Sequence, residues 1–346
     1  MKVPVRLSAS GIASSIRRSS LIGLTVWLSL LPHPAFSQAL PNSLSGFNSF
    51  LMNQKVQANL FRQSAKKLNA RDYQGAIVDL TAAIKRKPDD ANAYLQRGLI
   101  NFFYSNNTQS AIADLDQAVK LQPDNVYARY NRGVVRFMLL DFQGALTDFN
   151  RVIQLRPPFV SAAYRGRGGA NAALGNWERA FADTNQAVQL DPKDASLYKA
   201  RAATRVQLGD KSGAMGDFTE AIRLAPSDPD SYVQRAWIRW MLNDNKGAIA
   251  DFSQAIQLSP TDDRIYFGRG TVYARFDLQK ALADFNQGLK LQPDKAYGYY
   301  YRGKVYADLG DRARSIADYR AAAALFLKQG DRAWYQKVLK TIEAMN

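Results

Sequence analysis

Prolines at positions 88, 123, 157, 192, 226, 260 and 293 divide most of this 346-residue chain into segments of 33 to 35 residues. A period of that size means that one small unit is repeated and stacked, which excludes most single-core globular folds. Each proline closes a segment of one kind, such as GALTDFNRVIQLRP (144–157), GAIADFSQAIQLSP (247–260) or KALADFNQGLKLQP (280–293). Between them lie segments of a second kind, such as AYLQRGLINFFY (93–104), ARYNRGVVRFML (128–139) and IYFGRGTVYARF (265–276). Apolar residues recur at i, i+3, i+4 and i+7 in both kinds, the spacing of amphipathic helices. Pro and Asp stop one helix and cap the next. Gly175, Gly209, Asn243 and Gly310 break the chain between the two helices of a unit.

The residues that are missing narrow the chemistry. The chain has no cysteine, which removes disulfides, thiolate nucleophiles and thiolate metal sites. Its single histidine is His33, near the N-terminus, so the repeats hold no imidazole base or imidazole metal ligand. Carboxylates, Lys and Tyr are the remaining acid–base groups, and no Walker-type or dinucleotide loop occurs. The sequence therefore reads as non-catalytic, with no cofactor, metal or small-molecule substrate expected.

Residues 1–18 are basic and free of acids, the run from Ser19 to Leu31 is largely apolar, and Pro32 ends it. That run is shorter than the roughly 20 residues that span a bilayer, and small residues at Ala35, Ser37 and Ala39 follow. This three-part pattern reads residues 1–37 as a signal peptide or membrane-targeting leader. It sends the protein to the periplasm or an equivalent lumen, with membrane association as a variant if the leader stays attached. An organelle transit sequence is a further reading of the same start. The chain carries 46 basic against 30 acidic residues. Lys2, Arg6, Arg17 and Arg18 belong to the leader, which leaves 42 against 30. Such a surface favours acidic proteins, anionic membranes or nucleic acid without choosing among them.

The repeats resemble the tetratricopeptide repeat family, whose helix–turn–helix unit carries in order a large aromatic, a small residue, Ala, an aromatic, Ala and Pro. Over 195–228 these are Tyr198, Ala202, Ala214, Phe218, Ala221 and Pro226; over 229–262 they are Tyr232, Ala236, Ala248, Phe252, Ala255 and Pro260. Eight units follow: 57–90, 91–125, 126–160, 161–194, 195–228, 229–262, 263–295 and 296–328. The end units depart from the pattern, with Gln63-Ser64 in place of the Arg-Gly pair and Leu327 in place of the proline. Terminal repeats face solvent on one side, so irregularity is expected there. The resemblance implies an all-α, right-handed superhelical α-solenoid. Residues 38–56 read as a linker with a helix extension through Phe47, Phe50 and Leu51. Residues 329–346 read as a capping helix, with Trp334, Val338, Leu339 and Ile342 as its buried stripe.

Two charged columns run through the array. Arg97, Arg132, Arg167, Arg201, Arg235, Arg269 and Arg302 share one place on the first helices. Asp79, Asp114, Asp148, Asp183, Asp217, Asp251, Asp284 and Asp318 share one place on the second helices. A half-buried guanidinium needs a carboxylate, and the repeat supplies one for each; the columns are expected to be structural.

The resemblance implies a concave groove lined by first helices, in which such proteins bind peptides. The corresponding face runs through Asn92, Leu95 and Leu99, then Tyr127, Tyr130 and Val134, then Arg165 and Gly169. It continues through Ser196, Lys199 and Ala203, then Trp237, Trp240 and Met241, then Arg264, Phe267 and Thr271, and ends at Tyr297, Tyr300 and Lys304. The candidate contacts are Tyr127, Tyr130, Arg165, Lys199, Trp237, Trp240, Arg264, Phe267, Tyr297, Tyr300 and Lys304, because aromatics and Arg anchor interfaces. Packing between neighbouring first helices is the competing role for each, above all for Trp240. The Lys and Asn clamp with which some family members grip a chaperone carboxylate is not reproduced on this face. Arg165 to Gly169 read RGRGG, but the tract lies inside a repeat helix, which argues against nucleic acid. The expected function is a protein–protein interaction scaffold or assembly factor that binds a peptide or helical segment of an acidic or membrane-complex partner. A basic adaptor for RNA or anionic lipid, retained at the membrane by its leader, is the alternative.

Overall fold

The computed structural model describes residues 64 and 66–345, so the leader, the linker and the opening of the first repeat lie outside the described residues. The chain divides into two compact units, residues 1–209 and 210–346. The described part of the first holds α1 (Tyr73–Arg86), α2 (Ala91–Phe103), α3 (Thr108–Leu121), α4 (Val126–Met138), α5 (Phe142–Leu155), α6 (Val160–Ala173), α7 (Trp177–Leu190) and α8 (Ala195–Gln207). The second holds α9 (Lys211–Leu224), α10 (Pro229–Met241), α11 (Asn245–Leu258), α12 (Asp263–Tyr273), α13 (Leu278–Leu291), α14 (Ala296–Asp308), α15 (Arg312–Lys328) and α16 (Arg332–Glu343). No strand occurs among the described residues. Within each unit consecutive helices pack on one another, and alternate first helices such as α4, α6 and α8 also touch.

Local chemistry sets these boundaries. Asp72, Asn107, Asp141, Asp210, Asp244, Asp277, Asp311 and Asp331 cap second helices or the final helix, each accepting from the backbone N–H three residues on. The turn before most of these helices holds a left-handed residue: Gly175, Gly209, Asn243, Gly310 and Gly330, with φ between 64° and 83°, and Arg71 and Asn106 in the first two repeats, with φ 61° and 50°. Leu140 takes that conformation in the third repeat with φ 65°, where a side chain carries a steric cost. The seventh repeat is one residue short at the same turn, and its first helix ends early, at Tyr273.

The core follows the small and aromatic columns. Phe149, Phe218, Phe252 and Phe285 hold one position of the second helix in their repeats, and each is at most 1% exposed. Burying a side chain of that size contributes about 1.5–3 kcal/mol. Ala111, Ala145, Ala180, Ala214, Ala248 and Ala281 are fully buried where first and second helices meet, which lets the backbones approach. Thr184 replaces the aromatic in the fourth repeat. Its buried hydroxyl lies 3.0 Å from the Ala180 carbonyl and 3.3 Å from Thr204 Oγ1, so the polar atom is satisfied. At the C-terminal end Val338 is fully buried, and Trp334, Leu339 and Ile342 pack with it on Phe326 and Tyr319.

Candidate interaction face

The arginine column is built into the array. Arg132 holds Asp148 by two bonds, Nε at 2.8 Å and Nη2 at 2.5 Å, and the same fork joins Arg97 to Asp114, Arg235 to Asp251, Arg269 to Asp284 and Arg302 to Asp318. Arg167 meets Asp183 in the same way, at 2.6 Å through Nη2. In the first repeat, where no arginine stands, Lys67 lies 2.7 Å from Asp79. Burial disfavours the charged guanidinium, but the carboxylate bond outweighs it and holds the pKa of Arg97, Arg269 and Arg302 above the ordinary arginine value.

The remaining arginine nitrogen makes a third contact that the periodicity alone does not show. Nη1 donates to a side chain of the preceding second helix: Thr81 for Arg97, Asp116 for Arg132, Asn150 for Arg167 and Asn185 for Arg201. Thr219, Ser253 and Asn286 do the same for Arg235, Arg269 and Arg302. Each arginine therefore ties its own repeat to the one before it. A further column four residues on tunes the same carboxylate: Asn171 donates to Asp183, Arg136 to Asp148, and Arg239 lies 3.0 Å from Asp251.

On the first-helix face of the N-terminal unit, Leu95 does not reach solvent. It is fully buried among Leu115, Ala118, Val119, Ala128 and Val135, because the neighbouring helices close over it. Tyr127 and Tyr130 are half-buried, with ring centres 5.0 and 5.6 Å from that of Phe159. Phe159 sits where most other first helices carry an Asp or Asn, and it makes no side-chain cap bond. Arg165 Nη1 donates to Ser196 Oγ on the next first helix, and no carboxylate lies within ion-pair distance of it among the described residues. Lys199, half-buried, holds the corresponding place on α8.

The C-terminal unit uses its aromatic side chains differently. Trp237 meets Phe252 edge-on at 5.3 Å and Trp240 at 5.5 Å, and it lies against Gly268 of the next first helix. Phe267 fills a slot between Gly288 and Gly298, where added Cβ atoms would come within 2.6 and 2.8 Å of its ring. Tyr297 and Tyr300 pack edge-on against Trp334 of the final helix, at 4.9 and 5.2 Å. Burial raises the phenol pKa of both. The indole of Trp240 lies under the Arg275 guanidinium at 4.7 Å, and its Nε1 is buried without an acceptor. Arg264 is largely exposed and is held by Asp262 at 2.6 Å and Asp230 at 3.7 Å. Lys304 is exposed.

Family comparisons agree with this geometry. Models of the tetratricopeptide repeat match residues 167–239 and 266–337, and a TPR repeat model matches 101–139 and 241–275, together more than half of the chain. The chain belongs to the tetratricopeptide repeat family. Its fold resembles that of a tetratricopeptide repeat protein from Parabacteroides merdae, at 21% identity and TM-score 0.57, over 73% of this chain and 100% of that one. It also resembles the APC/C hetero-tetramer Cut9–Hcn1, at 16% identity and TM-score 0.56, over 88% of this chain and 60% of that one. The third is PilW, described as a type IV pilus biogenesis factor, at 20% identity and TM-score 0.55, over 60% of this chain and 95% of that one. At these identities the likeness establishes the fold. No curated protein sequence matches the chain. The family and fold support a protein-interaction scaffold role for this array. No described helix is long and apolar enough to cross a membrane.

Proposed function

We propose that this tetratricopeptide repeat protein is an exported, non-catalytic scaffold or assembly factor whose first-helix face captures a segment of an acidic partner protein. The observation that carries this reading is Arg165: a half-buried guanidinium on that face whose hydrogen-bond partner is a serine hydroxyl and not a carboxylate. A planar cation with unmet donors is suited to an anion that arrives with a partner. The excess of basic residues supports an acidic partner, and aromatics beside Arg are the side chains that anchor interfaces. Export rests on the leader pattern of residues 1–37, which lies outside the described residues. The likeness to PilW, a pilus biogenesis factor, supports a role in assembly beyond the cytoplasm.

The test is in-vivo crosslinking of the tagged full-length protein, with mass spectrometry of the recovered proteins and of its own N-terminus. A discrete set of acidic partners, and an N-terminus near Gln38 to Leu40, is the expected result. Recovery of RNA or lipid with no discrete protein set overturns the scaffold reading and favours a polyanion adaptor.

A further inference from the structure

The first helices of repeats 3, 4 and 5 contain no acidic residue at all. The sequences of α4, α6 and α8 (VYARYNRGVVRFM, VSAAYRGRGGANAA and ASLYKARAATRVQ) hold eight Arg and Lys between them. Every first helix of the C-terminal unit, by contrast, carries an acid: Asp230 in α10, Asp263 in α12 and Asp308 in α14. The acids that neutralise the N-terminal face come from second helices. They reach the inner arginines Arg132, Arg136 and Arg167, through Asp148, Asp116 and Asp183. Arg165, two residues before Arg167, points to the next first helix and is left with Ser196.

From this contrast we infer that the face formed by α4, α6 and α8 reads a side-chain carboxylate, Asp or Glu, on an extended partner segment, with Arg165 as the reading group. The inference rests on the scaffold reading above and assigns its partner chemistry and its place. A guanidinium carries five donors in one plane, and a single hydroxyl engages one of them. A bidentate carboxylate is the protein group that matches the rest, and it does so with charge-assisted bonds. The half-desolvated position strengthens that bond relative to one in open water. One repeat earlier on the same face, Tyr127, Tyr130 and Phe159 form a half-buried aromatic cluster that would hold an apolar side chain of the same segment. The other candidate face offers less. In the C-terminal unit Trp237 and Phe267 are packed on glycines, and Arg264 is already bonded to Asp262.

The experiment uses the full-length protein and a synthetic array of short peptides in which one aromatic residue and one Glu stand a few positions apart. Parallel arrays carry Gln or Lys in place of Glu. Wild type should hold the Glu peptides on the order of tenfold more tightly than the Gln peptides, the discrimination expected of one good carboxylate pair. Arg165→Gln should erase the preference, Arg165→Glu should turn it toward the Lys peptides, and Lys304→Glu in the other unit should leave it intact. Circular dichroism of each variant verifies the fold, and reversal of preference cannot arise from misfolding. Equal binding of Glu and Gln peptides by wild type overturns the inference, as does a Glu preference that survives Arg165→Glu. Displacement of the Glu peptides by single-stranded RNA or phosphatidylglycerol vesicles, with no peptide preference beneath it, overturns it as well. If Arg165→Glu retains the crosslinked partner set, this assignment fails while the scaffold reading stands. If wild type has no partner set, the scaffold reading fails on its own.

Discussion

The two units carry similar aromatic side chains at matching places on their first helices, yet they employ them for different ends. In the C-terminal unit a large ring faces a glycine on the following helix: Trp237 meets Gly268, and Phe267 meets Gly288 and Gly298. Ring and glycine gap pack together, with both rings half-buried. In the N-terminal unit Tyr127 and Tyr130 meet Phe159 tilted and edge-on and remain half-exposed, while α6 has mostly small side chains. A residue type at a repeat position is thus only half of the information. The residue one repeat onward decides whether it packs or faces outward.

The largest test of that contrast concerns charge. Asp148 is completely buried under Arg132 at 2.5 Å, Arg136 at 3.0 Å and Arg129 at 3.6 Å. Asp148→Ala would take a carboxylate from three guanidiniums, leaving Arg132 and Arg136 to share Asp116, and should cost about 3–5 kcal/mol in urea unfolding. Asp284, which the described contacts pair with Arg269 at 2.8 Å, should cost less. Equal losses would mean that the extra arginines add nothing. Next, Phe267→Ala should lose about 3 kcal/mol by leaving its glycine-walled slot empty, with no change in partner capture. A variant of wild-type stability that fails to capture partners would show that Phe267 is a contact after all.

A third test uses alkali. Burial pushes the Tyr319 phenol up to about 12 and raises Tyr297 and Tyr300 beside it. A phenol whose folded pKa exceeds its unfolded value contributes full stability below about pH 10. That contribution is lost as pH rises toward about 12. Loss of Trp334 packing should therefore start in that window, followed by tyrosinate absorbance against Trp fluorescence in a chain whose other tryptophans are replaced. Ionisation of all tyrosines in one step near pH 10 would contradict it. The smallest effect belongs to Leu140, which holds a left-handed turn that glycine or asparagine fills in most other repeats. Leu140→Gly should stabilise the N-terminal unit by up to about 1 kcal/mol in the same urea assay. A loss would show that its half-exposed side chain is packing more than it strains.

Much of this was written in the period. The prolines, the alanine and aromatic columns and the Arg and Asp columns repeat in register, so helix pairing and the stacked fold are legible from them. The Nη1 acceptors were not, because Thr81, Asp116, Asn150, Asn185, Thr219, Ser253 and Asn286 share a position but not a residue type. The candidate face was only partly legible. Leu95 stands at an outward-looking helix position and is closed over by neighbouring helices, while Trp237 and Phe267 stay half-buried and pack on single glycines of neighbouring helices. Arg165 stands out only beside the pairing of every ladder arginine around it.

The staple between repeats has an evolutionary consequence. Each arginine needs one carboxylate from its own unit and any acceptor from the unit before it, and Thr, Asp, Asn and Ser all serve. Excising residues 161–194 would present Arg201 with Asn150, which now serves Arg167, in place of Asn185. A gene encoding such units can duplicate or drop one without composing a new junction, so the length of the array is free to drift while its joints stay the same.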